Sequence, residues 1–213
     1  MKLLNCASLM LCMIVAGCSS TGDKSSEASV APVAKVDSVW LDDYEPRLRD
    51  ALKDSRFELE RREEGVLVVT APVDASFNPD RPGMLLPATL GPISRVAKLV
   101  EGDEKTAVIV LGHADSTGSI EINQTISRQR AGAVAAIFRL SGLKHDRLRI
   151  RGVGSDMPRA SNEHEEGRAL NRRVEMVLAP QTTLLALIAQ YNQAPTPTPA
   201  AAAAEATQVA VAK

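Results

Sequence analysis

Three polar residues stand where their chemistry is conspicuous. Asp115 lies in the segment Gly112-His113-Ala114-Asp115-Ser116-Thr117-Gly118, and Asn123 and Arg130 lie within the helical pattern that follows. Plotted at 3.6 residues per turn over about 119–141, Ile126, Val134 and Ile137 form one apolar stripe, and Asn123 and Arg130 fall on it. A guanidinium on a core-facing stripe loses hydration that only an acidic partner or an anionic ligand offsets. The spacing therefore predicts that Arg130 faces a carboxylate, with Asp115 the natural candidate. From the residues alone an internal salt bridge that holds the loop on the helix is the favoured reading, and a site that opens for a ligand coexists with it.

Other chemistries find less support. His113, His145 and His164 are widely spaced and form no His-x-x-x-His pair, which speaks against a zinc hydrolase. His113, two residues from Asp115 at a strand end, reads as a satisfied structural histidine rather than an acid or base. Gly152-Val153-Gly154 lacks the third glycine of a dinucleotide fingerprint and reads as a turn. No metal, no cofactor and no catalytic residue is expected. A formal charge of −1, the lack of a basic block and 3% aromatic residues speak against nucleic acid as a partner.

The elements that must position these residues follow from periodicity. Leu41, Tyr44, Leu48 and Leu52 predict a helix over Val39–Lys53 that covers a sheet, with Pro46 in its first turn or delaying its start. Phe57–Arg61 alternates, Glu64-Gly65 turns and Val66–Thr70 continues, a hairpin whose first strand should be an edge. Residues 71–87 carry Pro72, Pro79, Pro82 and Pro87 and read as a loop. Thr89–Val100 reads as a helix and Thr106–Leu111 as a buried strand that presents the 112–118 turn. The central helix stops at Gly142. Arg147–Gly152 alternates like a half-buried strand, Asn162 and Glu165 have capping-box spacing before a short helix, and Arg173–Leu178 alternates again. Gln181–Gln193 suggests a further helix outside the core. The order implies an α/β fold with a mixed sheet, preceded by a helix and a hairpin strand.

GHADSTG at 112–118, Asn123, Ile126-Ser127-Arg128-Gln129-Arg130-Ala131, Gly152-Val153-Gly154 and Gly167-Arg168-Ala169-Leu170-Asn171-Arg172-Arg173-Val174-Glu175 occur in the order of a known pattern. They resemble the OmpA-like peptidoglycan-associated domain, which runs GHTDxxG, N, LSxxRA, a glycine-rich strand end and GRAxNRRVE. The resemblance covers roughly 66–178, with Ala114 in place of the usual Thr and Ile126 in place of Leu. It implies a βαβαβ two-layer sandwich and a non-covalent ligand, the diaminopimelate of a peptidoglycan stem peptide. By the same resemblance Asp115 accepts from the ligand's ammonium, Arg130 clamps its carboxylate and Asn123 adds an amide donor. Thr117 and loop N–H groups complete the ring, and Phe77, Asn78 and Ile126 wall it. Of Arg172 and Arg173, one is expected to staple the short helix to the sheet or to cap carbonyls, with a groove contact by Arg172; Arg168 is expected to be structural.

The ends read as targeting and tethering. Lys2 and the apolar run from Leu3 to Ala16 make residues 1–17 a secretory signal. Val15-Ala16-Gly17-Cys18 resembles a bacterial lipoprotein cleavage box, so Cys18 is the expected lipid anchor to a membrane. Cys6 and Cys12 would leave with the signal, and the globular part would carry no thiol. Ser19 and Ser20 lack the Asp of an inner-membrane retention signal, which points to the outer membrane, facing the periplasm. Residues 18–38 are then anchor and flexible tether, 39–180 the binding domain, 181–193 the extra helix and 194–213 a disordered Pro/Thr/Ala-rich tail. That helix or tail could also engage an envelope protein partner.

Overall fold

Three strands of this chain are buried along almost their whole length, and they become the centre of one sheet. The computed structural model describes residues 38–192. Helix α1 (Ser38–Ala51) precedes the hairpin β1 (Glu58–Arg62) and β2 (Val66–Pro72). A short helix α2 (Val73–Ser76), the ribbon β3 (Phe77–Asn78) and β4 (Arg81–Leu85), and helix α3 (Pro87–Glu101) follow. Then come β5 (Thr106–Gly112), α4 (Ile120–Leu140), β6 (Leu148–Gly152), α5 (Glu165–Asn171), β7 (Arg173–Pro180) and α6 (Leu184–Asn192).

The main sheet has the order β1-β2-β7-β5-β6. Only β5 and β6 are parallel, joined across α4, and the other pairs are antiparallel. β2, β5 and β7 carry apolar residues on both pleats, and both faces are accordingly covered. Leu41, Tyr44 and Leu48 of α1, Ile93 and Val96 of α3, and Val134 and Phe138 of α4 pack one face. Leu184 and Leu187 of α6 pack the other, against Val66, Val68, Ile109, Leu111 and Val177. The expected two-layer sandwich thus gains a partial third layer. The edge strands β1 and β6 are partly exposed and rich in charge, which suits strands with an unpaired side.

Several expectations change. Helix α1 runs through Pro46 instead of starting there. The interior proline costs about 3 kcal/mol, but Leu41 and Tyr44 before it and Leu48 and Ala51 after it are all buried, each large side chain contributing roughly 1.5–3 kcal/mol. Residues 71–87 are not an unstructured loop. Pro72 ends β2 opposite Arg173, and Asn78 Oδ1 accepts from the N–H groups of Asp80 and Arg81 to turn the ribbon around Pro79. Each proline sits where no central-strand donor is missed. Helix α5 begins at Glu165 after His164, so Asn162 does not cap it. Arg147 belongs to a 3-10 turn (His145–Arg147) and donates to the carbonyls of Val100, Asp103 and Thr106.

The most consequential change concerns α4. Its buried face is Asn123, Ser127, Ala131, Val134, Ala135 and Phe138, while Ile126, Arg130 and Ile137 lie half-buried beside it. The reason is steric. A Cβ on Gly112 would stand 1.9 Å from the Ser127 carbonyl oxygen, and one on Gly152 would stand 2.5 Å from the Arg128 nitrogen. Two glycines at the ends of β5 and β6 let the α4 backbone sit directly on the sheet, and the helix turns its small residues toward them. Its far end closes at Gly142 (φ 98°), where Leu143 N–H reaches the Phe138 carbonyl and Gly142 N–H reaches that of Arg139.

Candidate functional site

The site grows from the end of β5. His113 N–H donates to the Arg173 carbonyl at 2.9 Å, Ala114 N–H to Gly154 at 2.8 Å, and Val153 N–H to Gly112 at 2.9 Å. The strand end is therefore stitched to both neighbours before the chain turns out as Asp115. The Asp115 carbonyl accepts from Asn123 Nδ2 at 3.1 Å, and Ser116 N–H donates to Asn162 Oδ1 at 3.2 Å. Thr117 N–H returns to Asp115 Oδ1 at 2.9 Å, and Gly118 takes the positive φ that lets the turn enter α4. Ser119 caps the helix, its hydroxyl accepting from Ile122 N–H.

The second Asp115 oxygen does not meet Arg130. It accepts from Arg172 Nη1 at 2.9 Å, so the expected Asp115–Arg130 bridge is replaced by an Asp115–Arg172 bridge. Arg172 is a hub. Its Nε and Nη2 also reach Asp74 at 3.1 and 2.9 Å, and Nη2 reaches Glu165 at 2.8 Å. Burial alone would raise the Asp115 carboxyl, and the hydrogen bonds from Arg172 and from the Thr117 N–H and hydroxyl outweigh it, holding it below the usual range. Its side chain is 11% exposed, whereas those of Asp74 and Glu165 are more than half exposed.

Arg130 stays apart from this network. Its Nε is enclosed and has no acceptor, and among the described residues it forms no ion pair. Burial depresses its pKa, while Asp74 and Asp115 act in the opposite sense. It is half-buried because α4 turns Ala131 and Ser127 inward and leaves the neighbouring position at the rim.

The remaining expected residues divide. Asn123 is buried and fixes the loop through Asp115's carbonyl, Thr117 is exposed at the rim, and Ile126 lies half-buried one helical turn before Arg130. Phe77 is 2% exposed and packs into the core with the helices, so it is not available as a wall for a ligand. Asn78 spends its carbonyl oxygen on its own turn. Ala114, in the place of a threonine, is buried at the strand end. Arg168 is structural as expected, donating to Glu165 and to the carbonyls of Asn162 and Glu163. Asp74 escaped the sequence reading, and Glu165 entered it only through a capping-box spacing, not as a partner of Arg172. Asp74 lies in the proline-rich stretch read as a loop, and nothing in its spacing ties it to Arg172.

A second cluster lies across β7, where the lone Glu175 interrupts an apolar strand. It pairs with Arg173 Nε at 2.8 Å and with Arg62 Nη2 at 3.1 Å. Arg173 also donates to the carbonyls of Asn171 and Met157, which makes it the stapling arginine. His113 Nε2 is 3.8 Å from Glu175, and neither ring nitrogen has a hydrogen-bond partner of good geometry, so this histidine is structural but not satisfied. Burial pushes it down to about 3, leaving it neutral. Among the described residues no group of three or more His, Cys, Asp or Glu could hold a metal ion, and no helix is long and apolar enough to cross a membrane. Cys18 and the rest of 1–37, with 193–213, lie outside the described residues.

Comparison with known proteins places a match to the OmpA family over residues 77–172. A probable lipoprotein, YiaD, of Escherichia coli is 35% identical over 141 residues, which are 66% of this chain and 64% of that protein. The peptidoglycan-binding protein ArfA of Mycobacterium bovis is 42% identical over 94 residues, 44% of this chain and 29% of that protein. The chain thus spans less than two thirds of the length of either relative. Among solved structures, the cell wall anchor of the T6SS from Pseudomonas aeruginosa superposes with a TM-score of 0.54 at 27% identity, covering 63% of this chain and 95% of that one.

Proposed function

Taking as premise the OmpA family domain at residues 77–172, we propose that the chain binds peptidoglycan without covalent chemistry, through the diaminopimelate of a stem peptide. The single observation that carries the proposal is Arg130. A half-buried guanidinium whose Nε is enclosed without an acceptor costs free energy that an incoming carboxylate recovers. Asp115, poised at the loop on the end of β5, is the carboxylate for the ligand's ammonium, and together the two groups read the zwitterionic end of the diaminopimelate. Asn123 holds the loop, while Thr117 and Ile126 line the rim. The peptidoglycan-binding relative ArfA supports the same ligand class.

In this proposal residues 1–17 are removed, Cys18 carries the lipid, and 18–38 tether a binding domain of 39–180 to the outer membrane, facing the periplasm. Residues 181–193 add the outer helix and 194–213 form the tail. The lipoprotein relative supports the anchor. Sedimentation with purified sacculi tests the groove: the wild type pellets, Asp115→Ala and Arg130→Ala stay in solution, and equal pelleting of all three rejects the reading. A fatty-acid analogue tests the anchor, because a Cys18→Ala protein that still labels rejects it. Service within a larger envelope assembly is the second reading, favoured by the fold shared with a secretion-system wall anchor, and in-cell crosslinking from the α6 surface addresses it.

A further inference from the structure

The carboxylate assigned to the ligand's ammonium is already occupied. Arg172 Nη1 sits 2.9 Å from Asp115 Oδ2, in the place an ammonium would take. The same guanidinium keeps Nε and Nη2 on Asp74, and Nη2 on Glu165. Its attachments are unequal in setting: the Asp115 side chain is 11% exposed, those of Asp74 and Glu165 57% and 61%. One arm therefore reaches inward to the groove and two nitrogens hold outward to solvated carboxylates.

We propose that Arg172 is a displaceable internal cation, seated at Asp115 until the ligand's ammonium arrives and then handed over to Asp74 and Glu165. The inference rests on the groove reading given above and adds to it a competitor and two receivers. The exchange is balanced. Asp115 loses one charge-assisted hydrogen bond and gains another, and Arg172 is never stranded, because its other partners are in place beforehand. Arg130 has no such competitor. A ligand's carboxylate meets a guanidinium with one enclosed, unpartnered nitrogen, while its ammonium must displace a paired one, so recognition is weighted toward the carboxylate end. Arg172 then filters ligands: one that brings an anion but no cation leaves the internal cation seated, and one that brings a cation alone gains little. Asp74 and Glu165, which need touch no ligand atom, set the balance by how strongly they draw Arg172 outward.

The test is a calorimetric titration of the full chain with meso-diaminopimelate, using the wild type, Arg172→Gln, the Asp74→Asn/Glu165→Gln pair, and the triple variant. Displacement predicts that Arg172→Gln binds about two- to fivefold tighter, the scale of one solvated ion pair. The Asp74→Asn/Glu165→Gln pair binds weaker by a similar factor, since Arg172 then stays on Asp115. In the triple variant the loss disappears, because the two receivers matter only through Arg172. A residue that merely supports the fold would give neither a tightening nor this dependence, and thermal unfolding of each variant confirms that it is folded. If the wild type binds and Arg172→Gln binds equally or less, Arg172 is a ligand contact or a support and the displacement is overturned while the groove stands. If neither wild type nor Arg172→Gln binds the amino acid, the groove reading falls and the displacement with it.

Discussion

Two charged clusters lie within a few residues of one another in the sequence and differ in how they are closed. Around Glu175 the carboxylate is 2% exposed, and Arg62 and Arg173 pair with it. Arg173 spends further N–H groups on the carbonyls of Asn171 and Met157. Around Asp115 the pairs run outward to exposed Asp74 and Glu165, and Arg130 is left with an enclosed nitrogen and no acceptor. In one cluster every charged side chain is paired without a ligand; in the other Arg130 is not. A closed buried network holds elements in register, whereas an open one at a rim stores an unmet interaction that binding can satisfy.

The contrast can be broken or sharpened by experiment. The largest effect is expected at Glu175. Glu175→Gln leaves Arg62 and Arg173 without their anion and should destabilise the fold by about 3–5 kcal/mol in urea unfolding, the cost of breaking a buried pair. Equal destabilisation by Asp115→Asn would erase the distinction between the clusters. Next, Arg130→Ala should weaken binding to sacculi by about 2–5 kcal/mol, as for loss of one partner of a desolvated charge pair. Its unfolding midpoint should stay at or above that of the wild type, since an unsatisfied charge has been removed.

The closed cluster should also report pH. His113 is held down to about 3 in the fold, against about 6.5 unfolded. Between those values the unfolded chain binds the extra proton, so stability is full above about 6.5 and falls as pH is lowered. At one proton the slope reaches about 1.4 kcal/mol per pH unit, or about 2 kcal/mol between pH 6.5 and 5. Glu175 acts in the same sense at lower pH. Burial alone would raise it, but the positive charges of His113, protonated at that acidity, Arg173 and Arg62 outweigh that and hold it at about 2, so its contribution is lost as pH falls from its ordinary value of about 4.5 through 2. Denaturant midpoints from pH 7 to 4 check this, and His113→Asn should flatten the upper part of the profile. The smallest effect is expected at Asp74: with its side chain 57% exposed, Asp74→Asn should change unfolding free energy by about 0–1 kcal/mol.

Much of the fold was legible because burial leaves period in the chain. The apolar runs of β2 and β5, the alternation of β7, the hairpin at Glu64-Gly65 and the stop at Gly142 follow from local chemistry, and the observed elements lie within a few residues of those expectations. What was not legible depended on partners distant in sequence. The face of α4 turned because Gly112 and Gly152, on two different strands, give its backbone room. The charge on Asp115 was assigned to the nearest cation in a helical projection, and it went instead to Arg172, 57 residues away. Asp74, 98 residues from Arg172, had no local mark at all. The Glu175 cluster did carry a signal, a single acid in an otherwise apolar strand, which required buried cations nearby.

The stitching of the β5 end bears on how the molecule would carry tension. A pull applied at Asp115 runs directly into β5, which is bonded along its length to β7 on one side and β6 on the other. Force in that direction loads both ladders in shear, so many hydrogen bonds must yield together instead of opening one after another from a free end. A loop mounted on an edge strand would pass the same load through one ladder instead of two.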